Sequence, residues 1–360
     1  MRITYVSMLT NIATPPLGYG GSELLNWNLV RTLAQEHEVI LVAVEGSKTP
    51  PNGQLIPLSI YSGYSLENER RRIYENKDVI EALKSADVVI DASDYKQASQ
   101  WVFENRADKN AIIYFVNGVS WVGPKIYRNC LAMSKFHSIQ ALLGSGLYAG
   151  TYIMNPSPIK KCEYLYPAFF PEEYPYNDKF TDSYIVNIAR FHPDKGQRSI
   201  LEIAREMPEQ RFVLAGSTKA LDHSQYFRQI KPIADNLPNV ELIENPTEEQ
   251  KKKLFREAKA FLNGEFLGTP YLNAFGLTNV EALLSGTPVI ATPMGATPEI
   301  VIHKKCGYLI KNANEVIDAI RNISLIDRQT CRKMGEYFDA KNIIEKANKL
   351  IKRVKEGEHW

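Results

Sequence analysis

Short β-rich runs alternate with helix-length segments along almost the whole of this 360-residue chain. That rhythm restricts the fold more than any single motif, because strands joined through helices pair in parallel and need cover on both sheet faces. Arg2–Ser7, Val39–Val44, Val88–Ile90, Ala111–Val116 and Ile139–Leu143 read as strands. Between them lie a helix running from the Gly20-Gly21 loop to about Gln35 and an amphipathic helix from Leu66 to Leu83. The rhythm breaks at Tyr166–Tyr176, where YPAFFPEEYPY carries prolines that no regular element accepts and reads as a packed linker. A second series then begins: strands at Tyr184–Ala189, Phe212–Ala215, Val240–Ile243, Ala260–Leu262, Val289–Thr292 and Tyr308–Ile310, with helices over Arg198–Arg205, Glu248–Ala258 and Ala340–Lys355. The expected fold is α/β, with two Rossmann-like doubly wound parallel-sheet domains facing across a cleft and divided near residue 170. In open sheets of this kind ligands bind beyond the carboxyl ends of the strands.

Composition removes several function classes. A net charge of +2, with 23% charged residues, shows none of the basic excess of a nucleic-acid binder. The compact cationic cluster, Arg70-Arg71-Arg72, lies beside Glu67 and Glu69 and reads as a solvated helix face, with weak peripheral contact to anionic lipid as the alternative. Cys130, Cys162, Cys306 and Cys331 are too scattered for a disulfide framework or a zinc site. No apolar run approaches the roughly 20 residues that cross a bilayer, and the N-terminus opens on a strand rather than a leader. The expectation is a soluble, cytoplasmic protein.

The chemistry concentrates in Leu267–Ile300, LGTPYLNAFGLTNVEALLSGTPVIATPMGATPEI. Phe275-Gly276-Leu277-Thr278 leads into a short apolar helix, Asn279 to Leu284. After the strand at Val289, a second glycine turn, Met294-Gly295-Ala296, leads into another helix start at Pro298-Glu299. Helix starts present unpaired N–H groups and the positive end of the macrodipole, which suits phosphate. Glu281, inside the first helix, could accept the hydroxyls of a ribose. An ordinary αβ connection is the alternative for either junction alone.

Two other segments point the same way. PPLGYGGSE places Gly18, Gly20 and Gly21 before the first helix. Here glycines would let backbone approach a ligand, while a flexible loop with a glycine cap is equally compatible. After the strand at Tyr184–Ala189 come Arg190 and then FHPDKG, with Lys195 at the mouth of the next helix. Two cations at a strand end suit a diphosphate; a surface Arg and Lys pairing with Asp194 is the alternative. Asp91-Ala-Ser-Asp94 reads as a turn with aspartates rather than a metal-binding pair, and no metal is expected.

Together ARFHPDKG (Ala189–Gly196), LAGS (Leu214–Ser217), FGLTNVEALLSGTPVIAT (Phe275–Thr292), the Gly295–Glu299 turn and the opening GGSE resemble the retaining family 4 glycosyltransferases of the GT-B fold. The resemblance covers essentially the whole chain. It implies an acceptor-side domain over 1–170, a nucleotide-sugar-binding domain over 171–339, and a terminal helix within 340–360 that packs back on the first domain. It also implies that Arg190 and Lys195 clamp the donor diphosphate and stabilise the leaving group, and that Glu281 binds the ribose. Backbone at Phe275, Gly276, Leu277 and Thr278, with Gly216, would contact the donor, and Gly20 and Gly21 would approach it from the opposite domain on closure.

Two positions depart from the family pattern. Asn273 stands where the first glutamate of Glu-x7-Glu is expected, and Asn117, in YFVNG, where the family has a cleft histidine. Both fall at the sugar end. Glu265, in the long stretch Gly264–Leu272, is a candidate for the missing carboxylate. The implied reaction is metal-independent transfer of a sugar, with retention, from a UDP- or GDP-linked donor to an acceptor hydroxyl, without a further cofactor. Trp121, Tyr95 and Tyr127 are candidates for stacking on the acceptor. The rival functions are a sugar-nucleotide epimerase of the same fold, for which His192 and His303 would be the acid–base candidates, and a sugar-nucleotide-binding protein with lost or altered activity. An NAD enzyme is disfavoured, because neither half carries the full glycine fingerprint.

Overall fold

The computed structural model of the chain describes residues 1–18, 20–61, 63, 65–109, 111–116, 128–143, 145–148, 151–154, 159–181, 183–219, 221–265 and 273–360. Two units emerge, one made of Met1–Phe169 with Ala340–Trp360 and the other of Phe170–Asp339.

In the first unit, β1 (Arg2–Val6), α1 (Gly21–Leu33), β2 (Glu38–Val44), β3 (Gln54–Leu58), α2 (Leu66–Tyr74), α3 (Lys77–Ser85), β4 (Val88–Asp91), α4 (Gln97–Asn105), β5 (Ile112–Phe115) and β6 (Cys130–Ala132) follow in order. They are followed by α5 (Lys135–Leu143), an antiparallel hairpin of β7 (Ser145–Tyr148) with β8 (Thr151–Met154), and β9 (Cys162–Tyr164). The seven-stranded sheet runs β3-β2-β1-β4-β5-β6-β9, and every pairing is parallel. Because helices cover both faces, β2 and β4 are apolar nearly without interruption and buried throughout, apart from Glu38 at the start of β2. On one face Ile73, Val79, Leu83 and Trp101 from α2, α3 and α4 pack onto Val6, Val42 and Val89.

Three sequence expectations change here. Ile139–Leu143 is not a strand but the end of α5: Ser134 Oγ accepts the His137 N–H and starts the helix, and a short apolar run alone does not separate the two conformations. The single helix expected over Leu66–Leu83 is two helices, because Asn76 Oδ1 accepts from the N–H groups of Asp78 and Val79 and caps a new start. Arg70–Arg72 is likewise not one solvated face. Arg72 is buried and donates to the carbonyls of Leu9 (2.6 Å) and Ser59 (3.0 Å), while Arg71 lies near Glu67 and Glu75 and Arg70 over the Tyr74 ring.

The second unit opens on a 3₁₀ turn, Pro171–Glu173, within the aromatic linker, whose Phe169 and Tyr174 are buried. It continues through β10 (Ile185–Ile188), α6 (Gln197–Glu206), β11 (Phe212–Gly216), α7 (Leu221–Asp235), β12 (Val240–Glu244), α8 (Glu248–Glu257) and β13 (Ala260–Leu262). The remaining elements are α9 (Leu277–Leu284), β14 (Val289–Ala291), α10 (Thr297–Ile300), β15 (Gly307–Leu309), α11 (Ala313–Asn322) and α12 (Arg328–Gly335). Its parallel six-stranded sheet has the order β12-β11-β10-β13-β14-β15, which reverses direction between β10 and β13. Both sheets are therefore doubly wound and Rossmann-like.

The last helix, α13 (Ala340–Lys355), belongs to the first unit. It buries Ile343, Ile344, Ala347, Leu350, Ile351 and Val354 along one face. His37 Nε2 reaches Asn348 Oδ1 at 2.7 Å, and the terminal Trp360 donates its indole N–H to the Cys130 carbonyl at 2.9 Å. Among the described residues no helix is long and apolar enough to cross a membrane.

Candidate active site

The reversal between β10 and β13 opens a crevice at the carboxyl ends of those strands, and the predicted cations leave from one side of it. Beyond β10 the ladder continues, with Ala189 N–H donating to Ala215 O and Phe191 N–H to Ser217 O. Gly216 lets the two strands come this close, since a Cβ there would lie 1.8 Å from the Ala189 oxygen. Arg190 Nη2 then bonds Asp194 Oδ2 at 2.6 Å, and His192 Nδ1 lies 2.6 Å from Asp194 Oδ1. Burial works to raise the Asp194 carboxyl, but Lys195, Arg190 and His192 together outweigh it and hold it below its ordinary value. Thus Arg190 pairs with Asp194, as in the alternative reading of that segment.

Lys195 does not. It ends the 3₁₀ turn Pro193–Lys195, and its Nζ donates to Glu265 Oε1 beyond β13. Asn273 Nδ2 donates to the other oxygen, Glu265 Oε2. Glu265 is itself pinned, its N–H donating to Asn263 Oδ1 at 3.2 Å and its carbonyl accepting from Thr292 Oγ1 at 3.3 Å. The structure therefore joins the residues on either side of the crevice, Lys195 and Asn273, through one carboxylate.

Residues 273–284 build the floor. Gly276, with φ +96, caps α9, and a Cβ there would stand 2.9 Å from Asn279 Nδ2. Phe275 buries its ring against Phe338, with centroids 5.3 Å apart, so that it anchors the loop while Gly276, Leu277 and Thr278 stay half-buried at the helix start. Glu281 is buried, and Lys251 of α8 donates to its Oε1 at 2.9 Å and also pairs with Glu248 at 2.9 Å. Burial works to lower the Lys251 pKa, but Glu281 and Glu248 overcome it and keep the ammonium charged. Nothing in the sequence pattern marks Lys251, because its partner is 30 residues away on another helix.

The second helix start differs from expectation. α10 is a single turn of four residues, and the amides at its start are spent locally: Thr297 N–H donates to Met294 O and Glu299 N–H to Ala296 O. The Gly295 turn instead backs Asn273, whose carbonyl accepts from Ala296 N–H at 3.2 Å. His303 Nδ1 accepts from Leu309 N–H at 3.1 Å and serves its own turn.

In the first unit, Gly20 caps α1 and Gly21 is its first residue, while Glu23 accepts from Thr10 Oγ1 at 2.8 Å. Burial is the main cause that raises the Glu23 carboxyl. Asp91 accepts from the backbone and hydroxyl of both Ser93 and Ser99, as expected of a turn-forming aspartate. Beside it lies a polar core that sequence reasoning missed. Lys96 is buried with its Nζ donating to the carbonyls of Asp91, Ser93 and Phe115, and Glu69 accepts from Ser93 Oγ and from the N–H groups of Tyr95 and Gln97. Asn117, Trp121 and Tyr127 lie outside the described residues. Among the described residues no group of three or more His, Cys, Asp or Glu is arranged to hold a metal ion.

Residues 173–341 match the family model of the glycosyl transferases group 1. The second unit is a glycosyl transferases group 1 domain. The chain is 28% identical over 177 residues to an uncharacterized glycosyltransferase of Methanocaldococcus jannaschii, covering 47% of this chain and 46% of that one. It is 26% identical over 163 residues to the trehalose synthase of Thermococcus litoralis, covering 42% of this chain and 38% of that one. The chain thus spans less than half the length of these curated relatives. Whole-chain likeness comes from structure. AviGT4, a glycosyltransferase involved in avilamycin A biosynthesis, superposes with a TM-score of 0.72 at 20% identity over 100% of this chain and 99% of that one. Anabaena Alr3699/HepE, solved in complex with UDP-glucose, gives 0.67 at 14% identity over 98% and 99%. At these identities the likeness establishes the fold. The residues around Lys195 and Glu281 lie inside the segment that the group 1 model matches.

Proposed function

We propose that the chain transfers a sugar from a nucleoside-diphosphate donor to an acceptor hydroxyl, keeping the anomeric configuration. The observation that supports this reading is that Arg190 and Lys195 follow β10 at the strand-order reversal of a domain matched by the glycosyl transferases group 1 model, and that Lys195 is linked through Glu265 to Asn273, just before the half-buried start of α9, the helix that carries the buried Glu281. A charged diphosphate needs donors fixed in advance, and the helix start adds its dipole. Glu281 accepts the ribose hydroxyls, with Lys251 holding the carboxylate in place. That Anabaena HepE holds UDP-glucose supports a UDP-linked donor, and GDP remains the second choice to test.

In this reading the bond from the anomeric carbon to the β-phosphate oxygen breaks, and its electron pair leaves with the diphosphate. The acceptor oxygen bonds the anomeric carbon on the same face, and its proton passes to the departing phosphate. Arg190 and Lys195 stabilise the charge that develops there. No metal takes part, so chelation leaves the rate unchanged.

The test is to incubate the protein with UDP- and GDP-sugars, with and without hydroxyl acceptors and with EDTA, and to follow nucleoside diphosphate release. Release that depends on Lys195 and falls by orders of magnitude in Lys195→Ala supports the reading. Transfer at the wild-type rate by folded Lys195→Ala overturns it. Conversion of the nucleotide sugar without diphosphate release would mark an epimerase, and binding without turnover a protein that has lost the activity.

A further inference from the structure

The carboxylate of Glu265 has both oxygens committed: Oε1 to Lys195 Nζ and Oε2 to Asn273 Nδ2. The side chains of Lys195 and Glu265 are only 13% and 8% exposed, so the pair is largely withdrawn from water. The arrangement is built rather than incidental. The backbone of Glu265 is fixed by Asn263 and Thr292, and Gly264 packs so closely on the preceding turn that a Cβ on it would lie 2.6 Å from the Lys195 carbonyl oxygen. Asn273 is held from behind by the Gly295 turn.

We propose that Glu265 is an internal counter-ion to Lys195 that an incoming diphosphate displaces, and that Asn273 is an amide because Glu265 already supplies the negative charge at this end of the site. This inference rests on the nucleotide-sugar reading given above. A diphosphate carries about two to three negative charges against the single charge of Glu265, so it wins the ammonium, but only by giving up the Lys195–Glu265 pair. That lost pairing weakens the hold on the nucleoside diphosphate product and leaves a carboxylate near the anomeric carbon, where positive charge develops in the reaction. A glutamate at position 273 would set two carboxylates against each other, and one would have to take up a proton. An amide donates to Glu265 instead and keeps its Oδ1 as an acceptor. Glu265 is accordingly a positioning residue, acting through Lys195.

The test is the affinity for UDP and GDP, measured by calorimetry on the full chain for wild type, Glu265→Gln, Lys195→Met and the double variant. The expected result is roughly tenfold tighter binding in Glu265→Gln, as removal of one close competing charge implies. Lys195→Met should bind more weakly, and the Glu265→Gln gain should disappear in the Lys195→Met background, which is the signature of direct coupling. Unchanged or weaker binding by Glu265→Gln, or the same gain with and without Lys195, overturns the inference while the nucleotide-sugar reading stands. If the wild type binds neither nucleotide, that reading falls and takes the inference with it. Should Glu265→Gln fail to fold, Asn273→Asp provides the second measurement. It sets a carboxylate against Glu265, so it should weaken nucleotide binding near pH 7.5 and recover, relative to wild type, toward about pH 5.5 as the pair takes up a shared proton. A difference from wild type that does not change with pH overturns the inference.

Discussion

Gly196 and Gly264 meet backbone to backbone: a Cβ built on Gly196 would stand 1.8 Å from the carbonyl oxygen of Gly264. One follows β10 and the other β13, so the contact lies where the strand order of the second unit reverses. It also explains why Lys195 and Glu265, the residues next to these glycines, share a hydrogen bond although they lie 70 positions apart. Gly196 further adopts φ +66, which a side chain disfavours.

Gly196→Ala therefore has two costs, a left-handed backbone and a steric collision that only a shift of the Lys195 turn relieves. The expected loss of stability is about 1–3 kcal/mol. The more telling effect is on binding: with Lys195 displaced, the thermal stabilisation that UDP or GDP confers on the wild type should disappear. A variant that is stabilised as strongly as wild type by the same nucleotide would show that the close approach does not position Lys195.

Lys251 and Glu281 form a second long-range pair, and here removal of one partner is the informative change. In Lys251→Met the Glu281 carboxylate remains buried without its cation, which typically costs about 3–5 kcal/mol when a buried pair is broken. The double variant Lys251→Met/Glu281→Gln should regain most of that stability, since no charge is then stranded, yet bind nucleoside diphosphate no better than Glu281→Gln alone. Urea unfolding followed by ellipticity reads the first effect and calorimetry the second. Equal stability of Lys251→Met and wild type would remove Lys251 from its role.

What could be read in the sequence follows from the range of the forces involved. The parallel strands were legible because burial on both faces makes them continuous apolar runs, as in Val39–Val44 and Phe212–Ala215. Lys195, Gly276 and Glu281 sit in segments whose local pattern marks a strand end or a helix start. β3, β6 and β9 were missed: β6 and β9 have three residues each, and β3 carries a proline at Pro57. The break at Asn76 depended on a side-chain cap, and the helix at Lys135–Leu143 on Ser134, both of which outweigh apolar spacing in a short segment. The partners of the site residues were beyond reach for a different reason. Whether Lys195 pairs with Asp194, one residue away, or Glu265 is decided by the fold, which brings β10 and β13 together.

The cluster around Asp194 predicts how stability responds to acid. Its carboxyl is held below the ordinary carboxylate value in the folded state, against the effect of burial, by Lys195, Arg190 and His192. A folded pKa below the unfolded one contributes stability above the unfolded value, about 3.9 for an aspartate, and that contribution is lost as pH falls through the folded value. Asp194→Asn should therefore be less stable than wild type at neutral pH, and the gap should close as pH drops below about 4. Urea midpoints measured for both proteins at several pH values check this. A gap that persists unchanged into acid would assign the difference to lost hydrogen bonds rather than charge.

Arg328 makes the last prediction, on stability alone. Its guanidinium is 5% exposed and spreads over Asn177 O (3.0 Å), Ala258 O (2.8 Å), Arg256 O (2.8 Å), Ser285 O (3.2 Å) and Thr287 Oγ1 (3.0 Å). Arg256 and Ala258 close α8, and Ser285 closes α9, so one side chain satisfies carbonyls at the carboxyl ends of both helices, where a cation also complements the dipole. Arg328→Met fills much of the same volume but leaves those carbonyls buried without donors. Each orphaned group costs about 1–3 kcal/mol, and partial relaxation makes the sum less than additive, so a total loss of at least about 3 kcal/mol is expected. Arg328→Lys should fall between, because an ammonium keeps the charge but cannot span acceptors that the planar fork reaches together. Far-UV ellipticity in urea should rank the three proteins wild type, Lys, Met. If the lysine variant matches the wild type, charge at the two helix ends suffices; if the methionine variant does as well, neither charge nor geometry is needed and the carbonyls find water instead.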